Sequence, residues 1–304
     1  MITFNKQNKD NKDNQPIIEL YNKEDFNFDY KLSKDAKPSD ILYLNKDNNN
    51  EMIIEDLNNK IPFPYIDDKK RYSFFISGAS GSFKSSNAGS LISIFLRKIP
   101  KLYVIYFTGI SLDQNLEEYF EYLTKDNDKD KNKIIIITPK TFLDIKKYND
   151  NNKNKNKLKI PLSVEEINQL QDKDSRQYLI IFDDIDNINN KVIRQLLLIF
   201  SSDILNTGRS HNKKHKHIHI INISHNLTAT QAHTRLYLRE SLYCGFNLQS
   251  QSKNHIKNLL SIKYSADDDF VDEILKQKKE GAGFTWASSS YPYLIMNDKA
   301  IFIS

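Results

Sequence analysis

Three stretches of this 304-residue chain hold side chains whose types and spacing could handle phosphate. The first is GASGSFKSS, residues 78–86, a glycine- and serine-rich turn that ends in Lys84, Ser85 and Ser86. Successive backbone N–H groups of such a turn, at the positive end of a following helix, make a nest for a polyphosphate. Gly78, Ala79, Ser80, Gly81, Ser82, Phe83, Lys84, Ser85 and Ser86 are therefore the candidate nucleotide contacts. Lys84 would reach the β- and γ-phosphates, and the Ser85 hydroxyl would ligate Mg²⁺. A phosphate loop reads G-x-x-x-x-G-K-[ST], and here Phe83 takes the place of the second glycine. If the backbone there needs a positive φ, a phenylalanine costs on the order of 1 to 2 kcal/mol. The expectation is that it keeps the glycine-like conformation and bears the strain. A plain turn joining strand to helix is the simpler alternative for this loop taken alone.

The second stretch is QYLIIFDDID, residues 177–186. An apolar strand that ends in two acids puts both at the mouth of a sheet, where open α/β folds bind ligands. Asp183 would hold Mg²⁺, directly or through water, and Asp184 would orient or deprotonate an attacking water. Paired acids also cap helices; the phosphate loop about 100 residues upstream favours the catalytic role. The third stretch is LNTGRSHNKKHKHIHIINISHN, residues 205–226. Its strand ends in Ser224-His225, and a polar residue at the tip of the strand next to the acids can sense a γ-phosphate or position water, which makes His225 a candidate. Arg209 with Lys213, Lys214 and Lys216 forms a dense basic loop, suited to a nucleic-acid backbone or simply to solvent. His215, His217 and His219 alternate onto one face, which raises metal binding, but no cysteine or carboxylate joins them in sequence.

These residues need a frame. YSFFIS (72–77), KLYVIYFT (101–108), KIIIIT (133–138), YLIIF (178–182) and HIHIINIS (217–224) are short runs rich in β-branched and aromatic residues, as expected of strands buried on both faces. Helical patterns alternate with them at 84–98, 113–124 and 188–206, and Ser163 with Glu166 forms a capping box that opens another. Strands alternating with helices predict an α/β fold, a largely parallel sheet flanked by helices. Two strands between the loop strand and the acid strand favour the additional-strand class of P-loop fold. Residues 1–70 are rich in Asn, Lys and Asp and read as a partly ordered N-terminal extension. Residues 71–250 form the P-loop core, with a polar tract near 146–159 read as a surface insertion or disordered loop. Residues 251–304 supply helices near 251–260 and 267–278 and a closing hairpin turned at Asn297-Asp298.

Composition bounds the rest. A net charge of +5 permits nucleic-acid contact without demanding it. The single cysteine, Cys244, rules out an intrachain disulfide and suits a reducing compartment. The opening MITFNKQNKD does not read as a secretory signal, and no apolar run is long enough for a membrane span. A soluble intracellular protein with no membrane partner is expected.

Taken in order, GASGSFKSS, LIIFDDID, NTGRSHN with IHIINISHN, and YLRESLYCGFNL resemble the poxvirus-type genome-packaging ATPases of large DNA viruses, within the RecA/FtsK-like FtsK–HerA superfamily. The resemblance covers approximately residues 70–250. It implies an ATP- and Mg²⁺-dependent motor that drives double-stranded DNA into a capsid through its portal vertex, in the host cytoplasm or at a viral assembly site. It further implies a homo-oligomeric ring, pentamer or hexamer, with an arginine supplied in trans to the γ-phosphate. Arg239 is the first candidate for that finger and Arg209 the second. Phe83, Asp184 and His225 depart from the glycine, glutamate and glutamine more usual in that superfamily. Two other functions stay open at this level: a degenerate P-loop protein that binds DNA or capsid without hydrolysis, and another P-loop enzyme such as a helicase or nucleotide kinase.

Overall fold

The computed structural model describes residues 2–4, 18–20, 45–46, 52–56, 59–62, 66, 70–99, 101–109, 133–152, 160–171, 176–207, 217–225, 227, 232–279, 284–289, 294–297 and 301–303. The chain divides into two compact units, one of residues 1–66 with 252–304 and the other of residues 67–251. The first unit opens with five short strands, β1 (Ile2–Phe4), β2 (Ile18–Leu20), β3 (Asn45–Lys46), β4 (Met52–Asp56) and β5 (Asn59–Pro62). Their pairings centre on β1 and β4.

The second unit carries the phosphate loop. Its elements are β6 (Ser73–Ser77), α1 (Lys84–Lys98), β7 (Leu102–Thr108), β8 (Lys133–Ile137), α2 (Pro139–Asn152), α3 (Val164–Gln171), β9 (Gln177–Asp183), α4 (Lys191–Thr207), β10 (Ile218–Ser224), α5 (Ala232–Glu240) and β11 (Tyr243–Asn247). Within this unit the described strands lie in the order β11-β6-β10-β9-β7-β8, and every neighbouring pair is parallel. Every residue of β6, β7 and β10 is buried. Such strands show continuous apolar runs instead of alternation because helices cover both faces. One strand, β10, lies between the loop strand β6 and the acid strand β9. This is the α/β P-loop fold of the additional-strand class.

The helices form where side chains can reach this sheet. On α1, Ala88, Leu91, Ile92 and Phe95 are buried at helical spacing, and Phe95 meets Phe74 edge-on at 5.9 Å between ring centroids. Helix α4 starts one turn later than its apolar pattern suggests, because Asn190 Oδ1 accepts from the N–H groups of Val192 and Ile193 as a cap. Its Phe200 stands edge-on to both Phe107 of β7 and Phe182 of β9, at 6.0 and 5.7 Å, so this ring cluster packs α4 on the sheet just below the acid pair.

One expectation needs correction. The polar tract near 146–159 is helical through Asn152, as the end of α2. Asn149 is buried, and its amide donates to Ile160 O at 2.7 Å and to Glu166 Oε2 at 3.2 Å. Those bonds satisfy a side chain that composition alone assigns to solvent. The capping box is also shifted. Ser163 Oγ accepts from Glu166 N, but Glu166 Oε2 reaches back to Leu162 N instead of to the cap residue. The helical pattern at 113–124 lies outside the described residues.

The first unit is completed by α6 (Lys253–Tyr264), α7 (Asp268–Lys279), β12 (Phe284–Ser288), β13 (Leu294–Met296) and β14 (Ile301–Ile303). Strands β12, β13 and β14 form an antiparallel meander in which Met296 pairs with Ile301, and Asp298 of the expected turn lies outside the described residues. Among the described residues no helix is long and apolar enough to cross a membrane.

Candidate active site

The phosphate loop leaves β6 at Ser77 and enters α1 at Lys84. Gly78 N donates to Ser224 O at the tip of β10, which ties the start of the loop to the neighbouring strand. A Cβ on Gly78 would lie 2.1 Å from Ser82 Oγ and 3.0 Å from Ser82 Cβ, so a side chain here would require Ser82 to move. Gly81 takes φ +76, and Phe83 takes φ +64 with ψ +19. Phe83 thus keeps the left-handed conformation that the missing glycine would have supplied, as expected. Its ring is 67% exposed, so the substitution places no bulk inside the loop. Phe83 O then accepts from both the N–H and the side-chain amide of Asn87, which seals the first turn of α1.

Lys84 turns back over the loop and is buried. Its ammonium donates to Gly78 O at 2.6 Å, to Ala79 O at 3.3 Å and to His225 Nδ1 at 3.1 Å. Burial pulls its pKa below the usual lysine value, opposed by the charges of Asp184 and Asp183. His225 stands at the end of β10, and its Nε2 lies 2.7 Å from Asp184 Oδ2. A charged lysine has only protons to offer, so Nδ1 accepts and Nε2–H donates. Lys84, His225 and Asp184 therefore form one directed chain of hydrogen bonds. Asp184 itself adopts φ +49, a conformation that aspartate tolerates better than most residues. Its other oxygen, Oδ1, is buried and has no hydrogen-bond partner among the described residues.

Asp183 ends β9 and receives a hydrogen bond at Oδ2 from the Tyr106 hydroxyl, 2.6 Å away. Burial lifts its carboxyl from 3.8 to about 6, against the lowering effect of the Tyr106 bond. Burial likewise raises Asp184, opposed by His225 and Lys84. Both acids are braced through the backbone. Asp184 N donates to Ile223 O, and Gly109 N donates to Asp183 O at 2.9 Å. A Cβ on Gly109 would come within 2.4 Å of Asp184 O, so the strand tip at Gly109 has to be bare for the acid turn to fit.

The structure thus brings Lys84, Asp183, Asp184 and His225 together at one end of the sheet, beside Gly78 and Ala79. Ser85 is half-buried in the first turn of α1. Arg239 is not among them. It lies near the end of α5, 74% exposed, with Nε on Glu240 Oε1 at 2.8 Å. Glu240 O accepts from Ser73 Oγ, so Arg239 sits at the start of β6, roughly 13 Å of strand from the loop. Arg209, His215 and the lysines at 213, 214 and 216 lie outside the described residues. His219 does not serve a metal. Its Nδ1 accepts from Tyr72 N and its Nε2 pairs with Gln177 Oε1, both inside the core.

Sequence reasoning missed two groups. One is Tyr106, hidden in an apolar strand, which register brings to the acid. The other is the tip of β11, where Ser250 Oγ accepts from Ala79 N, Asn247 donates to Ser82 O and Gln251 donates to Ser77 Oγ. These bonds hold the phosphate loop from the side opposite β10.

The donor set fits the expected ligands. Serine and aspartate oxygens are the hard ligands that Mg²⁺ takes, with phosphates and water completing its shell. The partnerless Asp184 Oδ1 marks a place for a water or a polar ligand. Fold and site together define a P-loop protein of the additional-strand class with its lysine, acid pair and strand-tip polar residue in place. No family model matches the chain. It is 25% identical over 224 residues to an uncharacterized protein, V3, of the Sputnik virophage, a match that spans 69% of this chain and 74% of that one. Solved structures similar to the chain include two ATPase structures. The pCW3 conjugation coupling protein TcpA, solved as a monomer with ATPγS, gives a TM-score of 0.39 at 12% identity over 82% of this chain and 63% of its own. ATPases 2 and 3 of EssC from Geobacillus thermodenitrificans give 0.41 at 11% over 86% of this chain and 42% of theirs. The match therefore spans less than two thirds of either solved chain.

Proposed function

We propose that this protein is an ATP-hydrolysing motor that moves along double-stranded DNA and packages a viral genome into a capsid. The carrying observation is the directed chain from Lys84 through His225 to Asp184, set beside Asp183 at the carboxyl ends of adjacent parallel strands. A structural protein has no need of a buried lysine aimed at loop carbonyls next to two desolvated acids.

The residues divide the work as follows. The loop N–H groups and Lys84 bind the β- and γ-phosphates, Lys84 exchanging the Gly78 and Ala79 carbonyls for phosphate oxygens. Ser85 and Asp183 would hold Mg²⁺, whose charge offsets that of the phosphates. His225 fixes the Asp184 carboxylate by holding Oδ2 and leaves Oδ1 to orient the attacking water and take its proton. Because His225 also touches Lys84, a γ-phosphate that draws the lysine away alters the support of the base. Arg239, exposed and distant from its own loop, is suited to act on a neighbouring subunit in a ring. The order of the four segments, and similarity to a virophage protein, support the viral setting.

Displacement of a third strand from triplex DNA tests the motor. The wild-type protein should strip the third strand with ATP and Mg²⁺, and Lys84→Ala should not. Hydrolysis without displacement would leave an ATPase that is no translocase. Neither activity would leave a degenerate P-loop protein that binds DNA or capsid as a structural component.

A further inference from the structure

Tyr106 lies in β7 and is fully buried, as are the phenylalanines at 74, 75, 95, 107 and 182. Strands β7 and β9 pair in register, with Tyr106 opposite Ile181 and Thr108 opposite Asp183. Side chains alternate along a strand, so Tyr106 and Asp183, two positions beyond Ile181, face the same side of the sheet. The phenol oxygen reaches Asp183 Oδ2 at 2.6 Å. A phenylalanine would fill nearly the same volume, so what tyrosine adds at this position is the hydroxyl.

That hydroxyl has a fixed role. A carboxylate oxygen can only accept, so the phenol O–H is the donor in this bond. One Asp183 oxygen, Oδ2, is thereby occupied by a donor held in the core. Outer-shell donors of this kind set the orientation of a ligating carboxylate.

We infer that Tyr106 is a positioning residue for divalent-cation binding, holding Asp183 through Oδ2 and leaving its other oxygen for the cation. This rests on the nucleotide-site function proposed above. Tyr106→Phe should leave binding of a fluorescent ATP analogue in EDTA within about twofold of wild type and should raise the Mg²⁺ concentration for half-maximal tightening of that binding by about 10- to 100-fold. Thermal unfolding of the metal-free variant reads the fold separately. In an Asp183→Asn background the same change should have no further effect on Mg²⁺ dependence, because the oxygen it orients no longer binds the ion. An unaltered Mg²⁺ midpoint in folded Tyr106→Phe, or an equal shift with and without Asp183→Asn, would overturn the assignment and leave Tyr106 as packing. Absence of Mg²⁺-dependent binding in the wild type would instead overturn the nucleotide site, and this inference with it.

Discussion

Replacing Asp183 with asparagine should make the metal-free protein more stable at neutral pH while ending hydrolysis. Burial lifts the carboxyl from 3.8 to about 6; the Tyr106 bond opposes that rise, Asp184 adds to it and Lys84 opposes it. The folded-state value lies above the unfolded one, so the native state binds the proton more tightly and stability falls as pH rises from about 4 to about 6. At 1.36 kcal/mol for each pH unit, the ionised carboxylate costs about 3 kcal/mol at neutral pH, or about 2 once its partial access to solvent is discounted. Asparagine still offers an oxygen to the Tyr106 hydroxyl and carries no charge, so it recovers most of this. Urea unfolding in EDTA should show Asp183→Asn more stable by about 2 kcal/mol near pH 7.5, with the gap below about 1 kcal/mol near pH 4. A variant less stable than wild type at both pH values would refute the reasoning. It would mean that attraction to Lys84 outweighs the desolvation of Asp183.

His225→Ala breaks the chain between Lys84 and Asp184 and should lower kcat by about 10²- to 10³-fold, whereas His225→Gln, which can accept and donate in the same places, should stay within about tenfold of wild type by steady-state hydrolysis. Gly109→Ala forces the Asp184 carbonyl away from a new Cβ and should cost about 1 to 3 kcal/mol of stability by thermal unfolding, with hydrolysis reduced as the acid pair shifts. Mixing Arg239→Ala with Lys84→Ala subunits should recover part of the turnover that each lacks alone, because a mixed ring can pair an intact arginine with an intact loop. No recovery at any ratio would remove Arg239 as the finger.

The strands were legible because burial on both faces leaves unbroken apolar runs, and the loop and acids because each follows such a run directly. Phe83 was legible too. A loop that needs a left-handed residue at that position keeps it even without glycine, since an exposed ring adds strain but no clash. Strand order was not legible. Five similar apolar runs do not say that β10 inserts between β6 and β9, yet that insertion puts His225 between Lys84 and Asp184. Tyr106 was hidden for a related reason. Within YVIYF its hydroxyl is one letter among aromatics, and only the register with β9 gives it a carboxylate. Ser250, Asn247 and Gln251 reach the loop through the pairing of β11 with β6, about 170 residues apart in sequence. The helical end of α2 escaped because Asn149 reads as solvent-loving until its two buried acceptors are known.

The most direct measurement is ATP turnover by the purified protein with and without double-stranded DNA. A DNA motor predicts Mg²⁺-dependent hydrolysis that rises when linear duplex is added and disappears in Lys84→Ala. Turnover absent from the wild-type protein under both conditions, or equal in Lys84→Ala, would contradict it.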